Sequence, residues 1–122
     1  MALGSQLNAT LGAQGALAVL GELASIAAAG TTQATATAIT TAIAIVTTTP
    51  FKGGVRLPVT PTVSASDRLH VANHGANDLY VYPPVGGKLS NNTANVPALI
   101  AQQKCADFMC IDGTNYTAFL GA

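Results

Sequence analysis

RLHVANHGANDLYVYPP, residues 68–84, carries two runs of alternating polarity separated by a polar segment. In the first run Leu69 and Val71 alternate with Arg68 and His70. In the second, Leu79 and Val81 alternate with Tyr80 and Tyr82. A period of two built from β-branched, aromatic and aliphatic residues predicts half-buried strands. Asn73-His74-Gly75-Ala76-Asn77-Asp78 lies between them, and Gly, Asn and Asp tolerate the positive φ of a tight reversal. Pro83 and Pro84 end the second run because proline has no N–H for a ladder. Together these features predict an amphipathic hairpin. An isolated hairpin is marginal in water, so other strands must cover its Leu/Val face.

Working outward, residues 31–49 form an uncharged Thr/Ala/Ile run of high β-propensity. Ala34, Ala36 and Ala38 share one parity and Ile39, Thr41, Ile43 and Ile45 the other, so a bulge or bend between two strands is expected at Ala38-Ile39. No charge occurs from residue 23 to residue 51, and a flat uncharged strand of this kind is hazardous as a free edge. Pairing inside an oligomer or against another protein is the expectation. Val55 and Leu57 are core candidates between turn and loop residues. Residues 106–111 place Phe108 and Cys110 on one face and Met109 and Ile111 on the other, which predicts a strand that is central, sandwiched or at an interface. Asp112-Gly113-Thr114-Asn115 predicts a hairpin turn into a last strand from Tyr116 to Leu120. Short strands punctuated by Gly, Pro and Asn predict an all-β domain over residues 31–122, a β-sandwich or a jelly-roll-like barrel.

Residues 1–30 have a different pattern. Leu3, Leu7 and Leu11 recur every fourth position, and Leu17, Leu20, Leu23 or Ala24, and Ala27 continue a helical stripe. Gly12, Gly15 and Gly21 each weaken a helix by about 1 kcal/mol relative to Ala. The expectation is a partly helical or extended arm that gains order when its stripe meets a partner. The first Lys or Arg is Lys52, so the basic start of a signal peptide is missing, and Glu22 interrupts a stretch already short for a membrane span.

GVRLP at 54–58, VANHGANDLYVYPPVGG at 71–87, a late strand and an aromatic C-terminal strand together resemble small phage virion proteins: capsid decoration (cement) proteins and related head-fibre or tail β-domains. The resemblance spans residues 31–122 and rests on turn and strand patterns, not on a chemical site. Many such proteins carry Trp near the end, where this chain has Tyr116. The resemblance implies a structural role on the virion surface, after synthesis in the host cytoplasm. It also implies binding to the major capsid protein and assembly on local symmetry axes, as a homotrimer or, failing that, a dimer.

Composition agrees with a life at interfaces. Charged residues are 8% of the chain, against about 25% in typical soluble domains. Formal net charge is zero and no basic cluster occurs, so nucleic-acid binding through phosphate neutralisation has no basis. Cys105 and Cys110 fall on opposite faces of one extended strand, and two buried free thiols are expected. His70 and His74 have no Cys or carboxylate cluster beside them in sequence, so no metal site is expected. The aspartates Asp67, Asp78, Asp107 and Asp112 flank turns and strand ends, where Asp bonds locally. Neither a G-x-S-x-G elbow nor a phosphate loop occurs. No catalytic, metal or cofactor residues emerge, and an enzyme is not expected. Two function classes remain. In the first, a capsid-stabilising protein buries Leu3, Leu7, Leu11, Leu17, Leu20 and Leu23 against the capsid or within its own oligomer. In the second, a receptor- or carbohydrate-binding β-module uses Tyr80, Tyr82 or Tyr116 as stacking platforms.

Overall fold

Nine strands follow one another among the described residues: β1 (Gly21–Ala27), β2 (Thr37–Ala38), β3 (Thr41–Thr48), β4 (Gly54–Arg56), β5 (Arg68–Asn73), β6 (Leu79–Tyr82), β7 (Ala98–Ile100), β8 (Cys105–Cys110) and β9 (Tyr116–Leu120). The computed structural model describes residues 21–59, 63, 65–90 and 93–120. Leu3, Leu7, Leu11, Leu17 and Leu20 lie outside the described residues.

The strands form a five-stranded sheet in the order β1-β3-β5-β8-β9 and a four-stranded sheet in the order β2-β4-β6-β7. From β2 to β6 each strand lies in the sheet opposite to its predecessor. Two crossings return the chain to its first sheet running in its first direction. β1, β3 and β5 are therefore mutually parallel, and so are β2, β4 and β6. Antiparallel strands close the arrangement, β7 on β6 and the β8–β9 hairpin on β5. The fold is β-rich with mixed sheets. This corrects the purely antiparallel connectivity that a jelly-roll-like barrel requires.

The hairpin predicted over residues 68–84 is corrected in the same way. Both of its strands form where alternation puts them, with Leu69, Val71, Leu79 and Val81 buried. They do not pair, because β5 and β6 lie in different sheets. Leu69 and Val71 enter the shared core from one sheet and Leu79 and Val81 from the other. The connecting loop runs across the end of that core. Gly75 is needed there for close approach, not for positive φ: a Cβ at this position would stand 2.2 Å from Thr49 Oγ1.

Other expectations hold. The parity change at Ala38-Ile39 marks the passage from β2 in one sheet to β3 in the other. β8 is central, flanked by β5 and β9. Asp112–Asn115 turns β8 into β9: the Asp112 carboxylate accepts from the Thr114 and Asn115 backbone N–H groups, and Gly113 adopts φ 91°.

Leu23, Ala24 and Ala27, predicted on a helical stripe, lie in β1, which pairs in parallel with β3 from Gly21↔Thr41 to Ile26↔Val46. Ladder bonds to an adjacent strand outweigh a helix propensity that Gly21 and β-branched Ile26 already weaken. Residues 21–27, placed in the arm by sequence, thus belong to the five-stranded sheet. β1 also removes the hazard foreseen for the uncharged β3, which is covered on both edges within its own chain.

The core is one cluster fed by both sheets. Val46, Val71 and Phe108 enter it from the larger sheet, and Val55, Val81 and Ile100 from the smaller. Tyr116 is fully buried and donates its hydroxyl to the Pro58 carbonyl. Burial pushes its phenol far above the ordinary value.

Candidate functional site

The outer face of the five-stranded sheet follows from register. Cα pairing aligns Leu23 with Ile43, Ile43 with His70, His70 with Asp107, and Asp107 with Phe119. Paired residues share a face, so one row crosses all five strands. Its ends are apolar and open: Leu23 is 57% exposed, Ile43 42% and Phe119 49%. Its centre is polar. His70 Nδ1 is hydrogen-bonded to Asp107 Oδ1, and both side chains remain partly exposed, 43% and 47%. Arg68 pairs with Met109 one step along the same face, and Ala72 with Cys105 on the other side of the row. A half-solvated sheet face normally alternates polar residues outward. Here large apolar groups stand outward on β1, β3 and β9.

The outer surface of the smaller sheet is partly covered, with Leu99 on β7 still 50% exposed. Tyr82 lies over Gly54, where a Cβ would stand 2.8 Å from its ring. The loop after β1 lies against this side: Gln33 Nε2 donates to the Pro83 carbonyl, Arg56 donates to the Gln33 carbonyl, and the Tyr82 hydroxyl donates to the Thr31 carbonyl. Burial raises the Tyr82 phenol, with a smaller contribution from neighbouring Tyr80.

A second feature stands at one end of both sheets, where the loops after β3, β5 and β7 meet. Asn73 ends β5 on the inward parity of Leu69 and Val71 and is fully buried. Its Oδ1 accepts from Thr49 Oγ1 at 2.8 Å and from the Gly75 N–H at 3.0 Å. Its Nδ2 donates to the Asn77 carbonyl at 2.8 Å and to the Ile100 carbonyl at 2.9 Å. Its backbone N–H donates to Lys104 O and its carbonyl accepts from the Gln103 N–H. One buried amide with all its donors and acceptors used therefore ties three loops together. His74 and Gln103 line a shallow depression beside this knot.

Of the candidate interface leucines, Leu23 alone falls among the described residues, and it stands exposed on the outer face of β1. Of the candidate stacking tyrosines, Tyr116 is inside the core and Tyr82 is buried, which leaves Tyr80 at the surface. Cys105 and Cys110 are free thiols on opposite faces, as expected, but Cys105 is exposed and only Cys110 is buried. The difference follows from parity, since Cys105 lies on the outward face that the core does not reach. Burial raises the Cys110 thiol's pKa. Among the described residues no group of three His, Cys, Asp or Glu side chains could hold a metal, and no helix is long and apolar enough to cross a membrane.

The open sheet face was only partly visible in the sequence. Parity shows Ile43 and Phe119 to be outward only once the inward set of each strand is known, and the His70–Asp107 pairing depends on the β5–β8 register. Asn73 had a usable sign, since it continues the inward parity of Leu69 and Val71. No protein-family model, curated protein or solved structure matches this chain.

Proposed function

We propose that this protein is a structural virion component that decorates a phage capsid and stabilises it by binding the major capsid protein. The observation that carries this reading is the open face of the five-stranded sheet. Leu23, Ile43 and Phe119 are exposed around one His70–Asp107 pair, in a chain whose charged residues are only 8%. Apolar side chains left exposed at both ends of one sheet row favour a protein partner. The resemblance of GVRLP and VANHGANDLYVYPPVGG to decoration and head-fibre proteins supports the same role, without catalysis, at the capsid surface. A common core between two sheets supports a two-layered β-sandwich as the finer description of the fold.

Assembly is expected to be a homotrimer, since closed symmetry hides identical apolar patches and capsids offer three-fold positions. Leu3, Leu7, Leu11, Leu17 and Leu20 add an apolar anchor N-terminal to β1. The test is co-sedimentation with undecorated capsids, using the wild type, a chain lacking residues 2–20, and the double variant Ile43→Asp/Phe119→Asp. The truncation ends before β1 because removing β1 would expose the edge of β3. Loss of particle binding in a folded truncated chain or in the double variant supports the reading. Undiminished occupancy by both refutes it.

A further inference from the structure

The cleft beside the Asn73 knot carries groups that the fold does not use. It has a volume of about 230 Å³ and is lined by Phe51, Lys52, Asn77, Asp78, Tyr80 and Gln102. Drug-sized ligands occupy pockets of about 300–1,000 Å³, so this space suits a single ring.

The two amide side chains are held in place by one half and free at the other. Asn77 Nδ2 donates to the Thr49 carbonyl at 2.9 Å, and Gln102 Nε2 donates to the Ala76 carbonyl. Their carbonyl oxygens, the Asp78 carboxylate, the Tyr80 hydroxyl and the Lys52 ammonium hydrogen-bond no described residue. Tyr80 is braced by Tyr82, with ring centroids 6.4 Å apart, and Phe51 is 75% exposed at the cleft mouth. The Lys52 ammonium stands 5.6 Å from the Phe51 ring centroid. Phe51 and Lys52 are the central residues of a turn closed by Gly53 N–H to Pro50 O, and Lys52 has φ 60°. That position usually favours glycine. A lysine there is a strained residue beside the cleft.

We infer that this cleft binds a neutral pyranose saccharide, stacked on Tyr80 and Phe51 and hydrogen-bonded through its hydroxyls to Asn77, Asp78 and Gln102. Three acceptor side chains suit a ligand with many O–H donors. Sulfate brings only acceptors and phosphate chiefly acceptors, and the negative charge of either would meet the Asp78 carboxylate. One cation and one anion at the rim balance, which favours a ligand without net charge. The anchored amides hold their acceptors in place before the ligand arrives, reducing the ordering cost of binding.

The test is an NMR titration of the full chain with glucose, galactose, mannose, N-acetylglucosamine and their disaccharides, and separately with inorganic phosphate and sulfate. At least one saccharide should bind with a Kd of about 1–10 mM, shifting resonances of Asn77, Tyr80 and Gln102. Phe51→Ala, at an exposed site that folding does not need, should weaken that binding roughly tenfold, whereas Tyr80→Phe should keep the stacking. His74→Ala, in the neighbouring depression, should leave it unchanged. Absence of saccharide binding overturns the inference, as does binding that Phe51→Ala leaves unaltered. Preferential binding of phosphate or sulfate also overturns it.

Discussion

Replacing Asn73 should show how much of the loop cluster depends on one side chain. Asn73→Ala removes four side-chain hydrogen bonds, of which those to Thr49 Oγ1 and the Ile100 carbonyl are buried and those to Gly75 N and the Asn77 carbonyl partly so. At about 1.5 kcal/mol for each buried bond and about 0.5 for each partly solvated one, the loss is roughly 4 kcal/mol. With a urea m-value of about 1.5 kcal/mol per molar, the midpoint should fall by about 2.7 M. Asn73→Asp supplies the sharper variant. It keeps the shape but sets a carboxylate oxygen against the Asn77 and Ile100 carbonyls, so burial and repulsion raise the introduced group's pKa. The folded state then binds the extra proton more readily than the unfolded state does. The variant's deficit relative to wild type should be smallest near pH 4, about the unfolded carboxyl's value, and should grow as pH rises through the folded pKa. Urea denaturation of wild type and both variants at acid and neutral pH measures this. An Asn73→Ala midpoint within about 0.5 M of wild type, or an Asn73→Asp deficit that does not change with pH, would refute the account of Asn73 as the knot.

Other positions give independent checks. Cys105 should react with a thiol reagent in the native protein and Cys110 only after unfolding, because one is exposed and the other is buried with a raised pKa; rates followed by mass spectrometry decide this. Hydrogen bonds from the Asn115 and Thr114 backbones and the Asn115 side chain lower the Asp112 pKa from 3.8. Its contribution is therefore present above that value and lost as pH falls through the lower folded pKa, and Asp112→Ala should flatten the acid limb of the stability–pH curve. Tyr116→Phe removes the buried bond to Pro58 and should cost about 1–2 kcal/mol by denaturant titration. Lys52→Gly relieves the positive φ and should stabilise by about 1 kcal/mol, visible as a raised melting temperature.

The sequence by itself determined strands β5, β6, β8 and β9, the inward residues of the first three, and the Asp112–Asn115 turn. Leu69, Val71, Leu79, Val81, Phe108 and Cys110 face inward as alternation requires, and Asp112–Asn115 makes its hairpin, because period and turn chemistry are local properties. Only the tertiary structure decided which strands pair. The inward set of β5 and β6 is the same whether they form one hairpin or cross between sheets, so parity could not separate the two. The same limit hid the open face and the loop cleft. The row through Ile43, His70, Asp107 and Phe119 spans four strands and depends on register. The meeting of Phe51, Tyr80 and Gln102 depends on the loops after β3 and β7 reaching β6 at one end of the core. For Leu23 the tertiary structure overrode a local pattern outright. Its spacing fits a helical stripe, but the uncharged β3 offered an edge, and hydrogen bonds along that edge made a strand of residues 21–27.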